Sequence, residues 1–175
     1  MISQMTITPK AENNKAKTFV AVLGTLGAFV FGISMFVELY RGLIALAAML
    51  MIVAALTIAV KYLLSEFKYE IINADGEWLF VVGQRSGQRY TTLCRVMLAS
   101  VRSLEKVSAK SDGKRDLEYA RYKYLPTFMP ESYYVMTVSS RYEKAKISLQ
   151  LTDEMAELLR SYAEEARLLS HDDDE

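Results

Sequence analysis

Cysteine, histidine and proline are scarce in this chain of 175 residues: one Cys, one His and three Pro. The single cysteine, Cys94, excludes an intrachain disulfide and suits a reducing compartment. With one histidine, His171 in the C-terminal tail, there is no ligand set for a metal site built on Cys and His, and no Ser-His-Asp constellation. The stretch GQRSGQ (83–88) lacks the Gly-Lys-Ser/Thr ending of a phosphate loop, and neither HExxH nor CxxC occurs. Charge is missing locally rather than globally. Lys and Arg number 21, Asp and Glu 21, yet residues 18–64 contain only Glu38, Arg41 and Lys61. The remaining 39 charges fall in the other 128 residues, so the chain is written for two solvents.

The charge-poor part reads as TFVAVLGTLGAFVFGISMFV (18–37) and LIALAAMLMIVAALTIAV (43–60). Each is near the ~20 residues that cross a ~30 Å hydrocarbon layer as a helix. A charge at mid-bilayer costs roughly 2.5–3.5 kcal/mol on insertion scales, and neither stretch has one. Glu38 and Arg41 fall between them, so ELYRG (38–42) is expected to be the turn of a transmembrane hairpin over 18–64, with Gly42 permitting the reversal and Tyr40 at the interface. Both stretches are apolar all round, which separates them from a pair of buried helices in a soluble protein. They are also too long, and too many, for a cleaved signal peptide. Lys10, Lys15, Lys17, Lys61 and Lys68 flank the outer ends and Arg41 alone lies in the turn. That asymmetry places both termini and the soluble part in the cytoplasm, with residues 1–17 as an N-terminal tail. Gly24, Ala28 and Gly32 recur every four residues on the first helix, as do Ala55 and Ala59 on the second. Small residues at this spacing are expected to pack the hairpin on itself, with homo-oligomerisation as their other use.

From Phe67 the period changes. FKYEII alternates, Asp75-Gly76 is a hairpin signal, and EWLFVV, RYTTLCRV, MLASVRSLEKV, EYARYKYL, SYYVMTVSS and EKAKISLQL read as further strands. About seven strands joined by turns predict an antiparallel sheet system. The segment from Asp153 to Leu169 then switches to helical period. Met155, Leu158, Leu159, Tyr162, Ala166 and Leu169 form its stripe, Thr152 is its N-cap, and Asp153 and Glu154 suit its positive end. SHDDDE (170–175) is an acidic tail whose carboxylates are solvated.

A transmembrane hairpin followed by seven strands and one amphipathic helix resembles the membrane-anchored bacterial proteins with a pleckstrin-homology-like (PH-like) domain. The residues that carry the resemblance are FKYEI, LFVVGQRSGQRYTTLCRVMLASVRSLEKV and KISLQLTDEMAELLRSYAEEA. It implies a plasma-membrane protein whose PH-like barrel, over 65–169, is capped by the C-terminal helix. It implies no activity and no headgroup site by itself.

The body of that part is basic and its end acidic: 14 Lys and Arg against 9 Asp and Glu over 67–150, then 2 against 9 over 151–175. The cations gather at Arg85 and Arg89 and at Lys106, Lys110, Lys114 and Arg115, where they are candidates for contact with anionic headgroups or a partner. Phe128, beside Met129 in the proline-bounded LPTFMPES, is a candidate for the same contact. Cys94 reads as a small apolar packing residue. No catalytic residue, cofactor or metal is expected, and acidic residues among the cations argue against nucleic acid. The expectation is a non-enzymatic membrane-tethered interaction or scaffold module, with the lipid bilayer and a protein as partners. Headgroup binding by the basic loops is the alternative, and an accessory subunit of a membrane enzyme or transporter the third reading.

Overall fold

A computed structural model of the chain describes residues 4–9, 11, 13–74, 76–109, 118–140 and 144–172. They fall into two compact units: residues 11–65, and residues 1–10 together with 66–175.

The first unit is a pair of helices, α1 (Asn14–Ser34) and α2 (Arg41–Tyr62), each long and apolar enough to cross a membrane. At 1.5 Å per residue they are about 32 and 33 Å long, the thickness of a hydrocarbon layer. The reversal occupies residues 35–40, earlier than the expected 38–42. Hydropathy counted Met35–Val37 into the first span because it cannot register where the backbone turns. The first bond of α2 runs from the Ile44 amide to the Tyr40 carbonyl (3.1 Å), which puts Gly42 inside the helix rather than in the turn. Large apolar side chains ring both helices: Phe29 is 65% exposed, Leu50 62% and Phe36, in the turn, 89%. Leaving that surface in water would cost about 25 cal/mol for each Å².

The seam between the helices is made of Ala16, Gly27 and Ser34 facing Ala48 and Ala55, all buried. Gly27 and Ser34, like Ala48 and Ala55, are seven apart, the repeat that keeps one face toward a near-parallel or antiparallel neighbour. Hydroxyls on the helices bond to their own backbone: Ser34 Oγ donates to the Phe31 carbonyl (2.6 Å) and Thr57 Oγ1 to that of Val53 (2.8 Å). Neither needs water, which fits a hydrocarbon surrounding. At the outer end the Asn13 amide donates to the Tyr62 carbonyl and ties the two helix ends together.

The second unit has two four-stranded sheets and a helix. The first sheet is β1 (Gln4–Ile7), β2 (Ser65–Ala74), β3 (Glu77–Ser86) and β4 (Arg89–Met97), in that order. A 3₁₀ turn at Leu98–Ser100 leads into the second sheet. Its strands are β5 (Val101–Ser108), β6 (Ala120–Tyr124), β7 (Ser132–Ser139) and β8 (Lys144–Leu149), ordered β5-β7-β8-β6. The helix α3 (Asp153–Asp172) closes the chain. Among the described residues seven strands follow the helical pair, and an eighth precedes it. Residues 4–7, placed in a tail by sequence, pair antiparallel with β2, Gln4 opposite Ile72 and Ile7 opposite Tyr69. The chain therefore leaves this sheet, runs through α1 and α2, and returns to the neighbouring strand. Pairing is mostly antiparallel, as between β1 and β2, β3 and β4, β5 and β7, and β7 and β8; β6 and β8 run parallel, Ala120 beside Ala145 and Tyr124 beside Leu149.

The alternation of β2 buries Phe67, Tyr69 and Ile71. Ala145, Ile147 and Leu149 of β8 join them, with Met136 of β7 and Leu98 from the turn. Gly76 and Gly87 have φ of +90° and +60°, the left-handed backbone that the two hairpin turns require and that favours glycine; Asp75 lies outside the described residues. Helix α3 starts where its cap predicts, with the Met155 amide donating to Thr152 Oγ1 (3.3 Å). It lays Ala156, Leu159, Ala163 and Ala166 on the core, while Leu169, assigned to the stripe, is 49% exposed. Trp78 of β3 packs on Tyr162 with ring centroids 4.6 Å apart, fastening the helix to the first sheet.

Candidate functional site

Among the described strands the edges are β1 and β4 in the first sheet and β5 and β6 in the second; β4 and β6 are the pair that come together. Both line one open cleft of about 440 Å³. Leu93, Cys94, Arg95 and Met97 form one wall, Tyr122 and Tyr124 the other, and Val96, Val138, Ala145 and Ile147 contribute apolar surface. β4 is the most exposed strand of the unit, with only Val96 buried and Cys94 half-buried. Opposite β3 its register slips between Val82/Cys94 and Gly83/Thr92, which leaves Leu93 as the extra residue of a bulge. Tyr124 is held from behind. Tyr69, buried in β2, donates its hydroxyl to the Tyr124 carbonyl (2.8 Å) and accepts from the Gln150 amide (3.3 Å). Burial pushes the Tyr69 hydroxyl well above its ordinary range. Loss of solvent, then the neighbouring Cys94 and Tyr122, push the Tyr124 phenol up to about 12. Tyr124 therefore stays a neutral donor and acceptor at physiological pH. Cys94 packs against the core cluster, in line with its reading as a small apolar packing residue, and also lines this cleft.

A second, smaller groove of about 270 Å³ runs between β5 and α3, past Val101, Leu104, Leu159 and Ala163. Here the edge is occupied. The Arg160 guanidinium donates to the Leu104 carbonyl (2.8 Å), taking an acceptor that an added strand would need.

The basic residues singled out by sequence are scattered. Arg85 and Arg89 sit at the exposed end of the β3–β4 hairpin, where Arg85 Nε donates to the Gly87 carbonyl (3.1 Å). Lys106 faces α3 instead. Its ammonium is 2.7 Å from Asp153 Oδ1 and lies over the Tyr134 ring, and the Tyr134 hydroxyl donates to the same carboxylate. Lys110, Lys114 and Arg115 lie outside the described residues. Phe128 is half-buried; the exposed apolar residue of that loop is Met129, 67% accessible and at φ +51°. Of the small residues, Ala55 is buried in the helix seam and Ala59 half-buried beside it. Gly24 and Gly32 are half-buried with open space where a β-carbon would sit, and Ala28 is exposed. The contact that needs a missing β-carbon is at Gly27, one residue off the proposed repeat. A β-carbon there would lie 3.0 Å from Ile52 Cγ1 and 3.3 Å from the Ala48 carbonyl oxygen.

The Lys106–Asp153 pair has a pH signature. Hydrogen bonds from Lys106 and then Tyr134 hold the Asp153 carboxyl below its usual range, and the bond to Asp153 raises Lys106. A lowered acid stabilises the fold above its unfolded pKa, about 4, and loses that contribution as pH falls through the folded value. A raised lysine stabilises below its unfolded pKa, about 10.4, and loses it as pH rises through the folded value. The unfolding temperature of Asp153→Asn should therefore fall short of wild type across the neutral range and converge with it in strong acid. Parallel curves at every pH would show that the pair is not formed.

Among the described residues no three His, Cys, Asp or Glu side chains are grouped to hold a metal ion. No protein-family model matches the chain, and no curated protein matches it in sequence.

Proposed function

We propose that the chain is a non-enzymatic, membrane-tethered interaction module. The α1–α2 hairpin is the anchor, and the two-sheet unit is the presented domain, a PH-like fold on the cytoplasmic face. Support for the tether comes from β1 and β2. They are paired neighbours in one sheet, yet the whole hairpin lies between them in sequence, so the chain leaves and re-enters the sheet unit through the two outer ends of the hairpin. The lysine excess at those ends supports a cytoplasmic placement of the sheet unit and both termini. The observation that carries the interaction reading is the cleft lined by β4 and β6, each the last strand of its sheet among the described residues. Exposed edges are sites for main-chain pairing with another protein, and proteins that do not use them usually shorten or cover them.

The test is capture of a partner by the full-length chain from its own membrane, by crosslinking before solubilisation. A defined protein in constant ratio is the expected result. Recovery as a free monomer in every growth state argues against the module. Topology is read separately: a reporter fused after Glu175 should be active only inside the cell.

Headgroup binding is the competing reading, favoured by the exposure of Arg85 and Arg89 at one hairpin end. It predicts that charge reversal at both residues weakens association of the sheet unit with anionic bilayers. The Lys106–Asp153 pair points the other way, since it commits that lysine to the fold.

A further inference from the structure

We infer that β1 and the helical hairpin form a clasp: the β1–β2 pairing and the α1–α2 seam hold each other closed, and separation of the two helices is converted into release of β1 from its sheet. The clasp needs no partner and stands apart from the interaction-module reading.

Three observations carry it. The first is connectivity. Residues 8–13 join β1 to α1 and residues 63–64 join α2 to β2, while β1 pairs with β2 and α1 packs on α2. Two separate contacts therefore close a single ring of chain. The second is the weakness of each contact alone. β1 has four residues at the edge of its sheet, and its ladder runs only from Gln4 opposite Ile72 to Ile7 opposite Tyr69. So short an edge strand opens readily unless something else ties it down. The seam, for its part, is made of Ala16, Gly27 and Ser34 against Ala48 and Ala55, small side chains with little dispersion contact apiece. The third is a bond where the two links begin. Asn13, the last residue of the first link, donates its side-chain amide to the carbonyl of Tyr62, the last residue of α2 (2.5 Å). Ala16, in the first turn of α1, is fully buried. The outer helix ends are thus held together at the points where the chain departs for β1 and β2.

Loop closure sets the size of the coupling. With the helices apart, β1 and β2 end a loop of residues 8–64, 57 in all; with the helices joined, only the eight residues of the two links remain to be closed. The probability of closure falls as about the 3/2 power of loop length, so joining the helices favours the β1–β2 pairing roughly twentyfold. Linkage makes the effect reciprocal: the paired strands favour the helix seam by the same factor.

The test reads amide exchange in the full chain in nanodiscs. Gly27→Leu, which forces the seam apart, should raise exchange in β1 roughly twentyfold and leave β7 unchanged, whereas Gly24→Leu should alter neither. A second variant alters no contact. About twenty Gly and Ser residues inserted between Thr8 and Pro9 lengthen the links from eight residues to about 28 and should raise β1 exchange roughly sixfold. The reverse direction is read with Met5→Pro/Thr6→Pro. Alternate amides of an antiparallel strand face its neighbour, so one of two adjacent prolines always removes a ladder bond. That variant should open the hairpin at lower denaturing-detergent concentration than wild type. The clasp is overturned if the insertion leaves β1 exchange at the wild-type rate, or if Gly27→Leu opens the hairpin with β1 still protected. Release of β7 together with β1 overturns it as well, since the strand then opens only with its whole unit. Unchanged hairpin opening in the proline variant breaks the reciprocity and has the same consequence. If Gly27→Leu leaves the hairpin closed, the insertion decides alone. Capture or absence of a partner bears on the module and not on the clasp.

Discussion

Replacing Gly27 with leucine should unfold the helical hairpin at markedly lower denaturing-detergent concentration, while leucine at Gly24 should leave it nearly unchanged. The two glycines lie one turn apart on α1 and differ in what faces them. At Gly27 even a β-carbon would press on Ile52 and on the backbone oxygen of Ala48; at Gly24 nothing lies within 4 Å. Lipid tails are as apolar as leucine, so two helices in a bilayer gain little by hiding apolar surface from it. Their association rests on van der Waals contact, which requires the close approach that Gly27, Ala48 and Ala55 allow. Overpacking costs typically 1–3 kcal/mol, and four added carbons against a backbone atom belong at about 3 kcal/mol. Detergent-titrated unfolding in mixed micelles, followed by far-ultraviolet circular dichroism, reads the difference. Equal behaviour of the two variants would mean that the helices do not meet along this seam.

Leu149→Ala should destabilise the sheet unit by about 3 kcal/mol. Leu149 is fully buried. It stands in register with Tyr134 on one side and Tyr124 on the other, within the cluster that joins both sheets to α3. Large-to-small changes at such sites cost the transfer of the lost carbons plus the cavity left behind, ~2–5 kcal/mol in all. Against a total of about 5–15 kcal/mol for a domain, that is a lowering of the melting temperature by roughly 10–15 °C. Leu93→Ala, on the exposed bulge of β4, should stay within about 0.5 kcal/mol of wild type. Calorimetry of the two variants checks both numbers. A comparable loss at Leu93 would show that the outer face of β4 is covered in the intact protein.

The two variants also mark how much of the molecule could be read without coordinates. Two apolar spans interrupted by Glu38 and Arg41 were legible because each span declares its surroundings through its own composition. The alternation that buries Phe67, Tyr69 and Ile71, the cap at Thr152 and the start of α3 are equally local: each needs only a few neighbouring residues to be recognised. The antiparallel expectation held for most of the sheet pairing, since β-hairpin chemistry is also local. The parallel pairing of β6 with β8 was not legible, because Ala120 and Ala145 are brought together by everything between them.

Position along the chain determined the apolarity of each segment, the period of its side chains and the start of α3. Tertiary structure alone decided that Gln4–Ile7 is a strand, since four residues acquire that identity only from β2 across the entire hairpin. It also decided that Gly27 rather than Gly24 is the close contact: small residues occur all round α1, and only the partner helix selects a face. Likewise Lys106 meets Asp153, 47 residues away, and β4 and β6 become the walls of one cleft. Periodicity is a property of a segment, whereas a contact, an edge or a cleft is a property of two segments whose meeting depends on the packing of the rest.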